Sequence, residues 1–120
     1  MTEIQKSKYD LEERTFKLAA DSRAFVKKLP KTVGNIEDSK QFVRSTGSIA
    51  ANYIEANESL SKKDFYMRVK ICRKEAKESV LWLKLVDTGD NAWLENERKR
   101  LIDEATELMH IFGAIITKQK

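Results

Sequence analysis

Glu107 and His110 stand in the fragment "ELMH", and a Glu-x-x-His pair on a helix is the ligand pattern from which di-iron carboxylate bundles are built. Such a centre needs the motif twice, and His110 is the only histidine in the chain. At about 100° per residue both Glu107 and His110 also point away from the apolar stripe of Ala105 and Phe112, so the expectation is no metal and no cofactor. Cys72 is the single cysteine, which excludes an internal disulfide. Without a second cysteine or histidine, neither a zinc set nor a nucleophile and base pair can be assembled within one chain. Lying on an apolar seam, Cys72 reads as a small buried hydrophobe. "TVGN" is a connector and Gly47 stands alone inside a helix, so no glycine-rich phosphate loop is present. Glu55 and Glu75 are the remaining carboxylates for acid–base work, but nothing defines a substrate cleft around them. The expectation is a protein with no catalytic residues, not an enzyme.

Basic residues on one helix permit phosphate recognition by an assembly of subunits, whereas on a monomer the same stripe reads as a solvated helix face. Projected on a wheel, "KDFYMRVKICRKEAKESVLWLKL" collects Lys70, Arg73, Lys74, Lys77 and Lys84 on one face around Tyr66, whose ring can stack on a base. Arg98 and Lys99 are candidates from the next helix. Beside the core face, Met67, Ile71, Leu81, Trp82 and Leu85 widen the apolar arc beyond what one bundle helix normally buries, which predicts a subunit interface. Arg68 and Glu75 fall inside the apolar arc and are expected to pair with polar groups of the preceding helix. Asn52 and Glu55 lie where they can hydrogen-bond to Arg68 or another basic group, fixing helix register.

These residues must be held by long helices. The chain has 120 residues, 41% hydrophobic and 35% charged, with four Gly and one Pro, a mixture that favours helices over turn-rich β structure. That length fits a single domain spanning residues 1–120. Four segments carry helical periodicity. The first runs from about Lys8 to Leu29, with Leu11, Leu18, Phe25 and Leu29 inward, and stops at Pro30. The second starts near Ile36 and reaches about Asn57, with Phe42, Ile49, Tyr53 and Ala56 inward. Ser61 and Asp64 resemble a capping box, so the third begins near Lys62 and continues to about Thr88 on a heptad seam of Phe65, Val69, Cys72, Ala76, Ser79, Leu83 and Val86. Gly89 reads as its C-terminal cap, and Asp90 or Asn91 caps the fourth, whose inner face is Leu94, Leu101, Ala105, Leu108, Phe112 and Ile116. Four amphipathic helices with short connections predict an all-α, antiparallel up-down-up-down four-helix bundle.

The net charge of +4 is compatible with simple solubility for a monomer, whereas several copies would build a strong positive field. "MTEIQKSKYD" lacks the apolar core of a signal peptide, and "VLWLKLV" is too short to span a bilayer, so a cytoplasmic location and no membrane contact are expected.

"STGSIAANYIEAN" at 45–57 keeps small, uncharged residues where neighbouring helices can approach closely. Within it, "SIAANYIEA" resembles the Ser-Ile-x-x-Asn-x-x-Glu-Gly signature of the small bundle proteins first noticed as reading frames in intervening sequences of bacterial 23S rRNA genes. Residues 63–85 are similar to that family's second block, through its Asp-Phe start and through Lys74, Glu75, Ala76, Glu78, Trp82 and Leu83. Ala56 departs from the pattern where the family has glycine, which lets the helix continue and places the turn near Asn57. The resemblance implies a cytoplasmic four-helix bundle without known catalysis, in this family often a ring-shaped homopentamer. It also implies kinship with the accessory protein of diversity-generating retroelements, which binds nucleic acid and reverse transcriptase. Five copies at +4 would carry about +20. The functional expectation is therefore an oligomer that binds RNA or DNA through a basic surface, with a protein-interaction scaffold lacking nucleic-acid affinity as its alternative.

Overall fold

The computed structural model describes residues 3–119, with side chains from Asp10 to Gln119. Met1, Thr2 and Lys120, which belong to the terminal segments read above, lie outside the described residues. Four helices follow one another: α1 (Glu3–Lys27), α2 (Val33–Asn57), α3 (Lys62–Leu85) and α4 (Ala92–Ile116). Helices of 24 or 25 residues at about 1.5 Å rise are some 37 Å long, which accounts for the 45 Å long axis of a body 26 and 20 Å across.

Cross-helix contacts give the direction of every neighbour. Asn35 bonds the backbone of Asp87, Ser45 meets Ser79, and Asn52 meets Arg68, so α2 and α3 run oppositely. Asn57 reaches Glu12 on α1, Asp21 of α1 pairs with Arg100 of α4, and Arg14 with Glu104. Arg98 near the start of α4 contacts the Val86 carbonyl just beyond α3. The result is an up-down-up-down bundle with an all-helical core.

That core is the apolar set expected from periodicity. Leu18, Phe25, Phe42, Ile49, Val69, Cys72, Ala76, Leu83, Leu101, Ala105, Leu108 and Phe112 are at most 2% exposed. Phe25 and Phe42 meet edge-to-face at 6.4 Å, the arrangement in which the positive ring edge meets the negative face. Phe65 and Ile116, at the ends of their stripes, are only partly buried. In the quiet segment of α2, Ser45 and Thr46 are fully buried, and the Ser45 and Ser79 hydroxyls touch at 2.7 Å. Two hydroxyls in place of larger side chains let α2 and α3 pack closely there.

Four boundaries differ from the periodicity reading: α1 runs from Glu3 to Lys27 and not from about Lys8 to Leu29, and the start of α2 and the end of α3 also move. α2 begins at Val33, three residues before the start expected near Ile36, because the Thr32 side chain accepts from the Asn35 N–H as an N-cap. α3 ends at Leu85, not Thr88, because Val86 leaves the helix in an extended conformation and is itself buried. Gly89 accordingly shapes the α3–α4 turn and does not cap α3. Its φ is +64° and an added Cβ would lie 3.2 Å from Pro30, so glycine suits both the backbone and the space. The caps Ser61 and Asn91 stand where expected, each accepting from the N–H three residues on, and α2 continues through Ala56.

Candidate nucleic-acid interface

α3 carries eight Lys and Arg against three Asp and Glu, a net of +5, while the whole chain has +4. The excess positive charge of the protein therefore resides on one helix. Ser61 and Asp64 fix the start of α3, and Val69, Cys72, Ala76 and Leu83 anchor its inner face, which turns Lys70, Arg73, Lys74, Lys77 and Lys84 to the exposed side. Among the described residues, Lys70, Arg73, Lys77 and Lys84 have no carboxylate partner, and Lys74 lies 3.7 Å from Glu75. Lys84 in the last turn also complements the negative end of the helix.

The antiparallel hairpin adds groups from α4. Lys70, Arg73, Lys74 and Lys77 line a shallow surface groove of about 380 Å³ together with Ile116. A second hollow of about 270 Å³ is lined by Lys62, Lys63, Tyr66, Lys118 and Gln119. Tyr66 is half-buried and packs edge-to-face on Phe65 at 5.2 Å. Lys62, Lys63 and Lys118 were not among the residues singled out from sequence. Lys62 and Lys63 open α3 at the end where an antiparallel α4 must finish, so the hairpin itself was the available signal.

Arg98 and Lys99 belong elsewhere. One Arg98 guanidinium nitrogen donates to the Val86 carbonyl at 2.6 Å and the other pairs with Glu95, which also accepts from Thr88 at 2.8 Å. Arg98 thus closes the exposed C-terminal end of α3 and braces the turn, so it is not part of the groove set on α3. Lys99 is exposed at the same end of the molecule.

The polar residues within the α3 arc meet α2. Arg68 donates to Asn52 Oδ1 at 3.0 Å, while the Asn52 amide donates to the Ser48 carbonyl and hydroxyl at 2.9 and 3.0 Å. Glu75 is buried, with Arg44 3.2 Å from Oε2, although that oxygen accepts no well-directed hydrogen bond. Arg44 also reaches Glu78 at 3.7 Å. Glu55 is exposed; its backbone carbonyl accepts from the Glu58 N–H and the Ser59 hydroxyl, and its carboxylate pairs with no cation among the described residues. The structure therefore brings Asn52 to Arg68 and leaves the Glu55 carboxylate apart from them. Arg44 is the partner that sequence reasoning missed, because its distance from Glu75 in the chain hides a contact that the antiparallel register creates.

The apolar flank of α3 is mixed in character. Met67, Leu81 and Leu85 are 47%, 47% and 55% exposed, whereas Ile71 is partly buried and Trp82 packs against the core with its indole N–H buried and unpaired. Burial pushes the Cys72 thiol up to about 12, and its Sγ–H lies 3.5 Å from the Ile49 carbonyl, the environment of an unreactive core residue. Glu107 is 3.2 Å from Arg14 and His110 is exposed, and no group of three or more potential metal-ligating side chains occurs among the described residues. No helix among the described residues is long and apolar enough to cross a membrane.

Fold and surface together define a small four-helix bundle with a positively charged third helix. The family model of the 23S rRNA-intervening sequence protein matches residues 7–114, and the chain belongs to that family. A solved structure from Bacteroides thetaiotaomicron VPI-5482, a protein with unknown function from the S23 ribosomal protein family, is similar with a TM-score of 0.74 and 27% identity. That similarity covers 88% of this chain and 97% of the other. No curated protein matches the chain.

Proposed function

We propose that this chain is a non-enzymatic, cytoplasmic, homo-oligomeric bundle, pentameric in keeping with the family resemblance, that binds RNA or DNA through the outer face of α3. The observation that carries the reading is the net +5 of α3, because Lys70, Arg73 and Lys77 face solvent with no carboxylate partner among the described residues. An oligomer would repeat this surface and deepen its potential, which draws phosphate by releasing condensed counterions. The second reading is a protein-interaction scaffold without nucleic-acid affinity. Its support is the exposed apolar flank of Met67, Leu81 and Leu85.

The deciding experiment is a titration of labelled structured RNA and duplex DNA with purified protein across a salt series. Affinity that falls steeply with salt, and is lost when Lys70, Arg73 and Lys77 are replaced by Glu with helicity and mass intact, supports the phosphate reading. Absence of binding at low salt rejects it in favour of the scaffold.

A further inference from the structure

Lys63, Lys70, Lys77 and Lys84 recur at a strict seven-residue interval along α3, and all four are exposed. In a straight helix such a row drifts by only about 20° per heptad, so the four ammonium groups form a nearly straight ladder. Its rungs are about 10.5 Å apart and its length is about 31 Å. None of the four pairs with a carboxylate among the described residues, so all are available to a ligand.

From this ladder we infer that the ligand is a nucleic-acid duplex, held by its backbone and without base readout. The inference rests on the nucleic-acid reading above and narrows it. Successive phosphates of one strand of B-DNA advance only about 3.4 Å along the axis, far less than one rung. Grooves of about 6 and 12 Å, by contrast, separate backbone crossings on the scale of the ladder. A straight row lying along a duplex meets a different crossing at each contacting rung, over a length close to one helical turn of about 34 Å. A single strand asks for something else, namely successive aromatic platforms on which unpaired bases stack. α3 offers Tyr66 alone on this side, and that ring is already set against Phe65 at 5.2 Å. Lysine supplies a point charge on a flexible stem, suited to phosphate and poor at distinguishing base edges. The face is thus built to recognise charge spacing.

Fluorescence anisotropy separates the possibilities. The probes are 30-base-pair DNA and RNA duplexes of two unrelated sequences, a dT30 strand, and anionic phosphatidylglycerol vesicles as competitor, all across a salt series. The expected result is duplex affinity at least about tenfold above that for dT30, and near-equal affinity for the two sequences. Lys70→Gln and Lys77→Gln should each reduce the slope of log affinity against log salt by about 0.9, whereas Lys27→Gln on α1 should leave it unchanged. Equal or tighter binding to dT30 overturns the duplex inference while leaving the nucleic-acid reading standing. Strong preference for one duplex sequence overturns the absence of base readout. Binding to vesicles alone, or to nothing, overturns both readings.

Discussion

Asn35 holds Asp87 in a two-way clasp: its amide donates to the Asp87 carbonyl at 2.8 Å while its carbonyl accepts from the Asp87 N–H at 2.8 Å. The same amide donates to the Pro30 carbonyl at 2.9 Å. One side chain in the first turn of α2 thereby satisfies the backbone of both the α1–α2 and the α3–α4 connections, which meet at this end of the bundle. Without that clasp, the part-buried backbone groups of Pro30 and Asp87 would lose their side-chain partner.

Replacing Asn35 by Ala removes a side chain that is 3% exposed and leaves three part-buried backbone groups of Pro30 and Asp87 without that partner. The expected cost is about 2–4 kcal/mol, from unsatisfied groups at roughly 1–3 kcal/mol each with partial relaxation. Thermal unfolding followed by circular dichroism should show a midpoint lowered by roughly 10 °C. Asn35→Asp should do similar damage, because a carboxylate accepts from Asp87 but has no N–H for the two carbonyls. A midpoint within about 2 °C of the parent protein in both variants would rule out the clasp as a significant source of stability.

The sequence made the bundle legible because its information is local. Three- and four-residue apolar spacing located the faces that Leu18, Ile49, Leu83 and Leu108 bury, and Ser61 and Asn91 marked helix starts by the hydrogen bond each side chain makes three residues on. Thr32 was hidden behind Gly34, which read as loop, and the Asn35 clasp was hidden because its partner is fifty-two residues away. Arg44 beside Glu75 is the same kind of case: two charges on different helices whose meeting depends on the register of packing. The basic face of α3 was legible on a wheel, but its extension by Lys118 required the antiparallel course of α4.

Stability in acid should depend on the ion-pair network between α1 and α4. Burial alone would raise the Asp21 pKa, but hydrogen bonds from Arg100 and Lys17 outweigh it and hold the carboxyl below its usual value. Glu97 is lowered chiefly by its hydrogen bond to Arg100. For both groups the native state binds fewer protons than the unfolded chain, so stability rises with pH through this window. The contribution is present above the unfolded carboxylate pKa of about 4 and is lost as pH falls through the lower native values. Asp21→Asn should reduce stability by about 1 kcal/mol at pH 7, an amount suited to a partly exposed network, and the difference from the parent should shrink towards pH 2. Urea unfolding at pH 7, 4 and 2 measures this. A constant difference across the three would show that Asp21 acts through packing and not through its charge.

The apolar flank gives a test of assembly that separates interface from core. Leu81 and Leu85 are 47% and 55% exposed, so carboxylates introduced there stay solvated in a monomer and are desolvated only between subunits. Leu81→Glu/Leu85→Glu should dissociate the proposed oligomer to a 13.9 kDa species in light scattering while preserving the helical spectrum. Trp82→Ala is a poorer probe, because Trp82 also packs against the core and its loss would weaken the fold itself. Trp82→Phe removes the buried, unpaired indole N–H and keeps most of the ring volume, so it should change stability by less than about 1.5 kcal/mol. If the parent protein is oligomeric and the double glutamate variant keeps its mass, Leu81 and Leu85 do not lie between subunits. The flank would then be free for a different partner, and the scaffold reading would gain the surface that the oligomer loses.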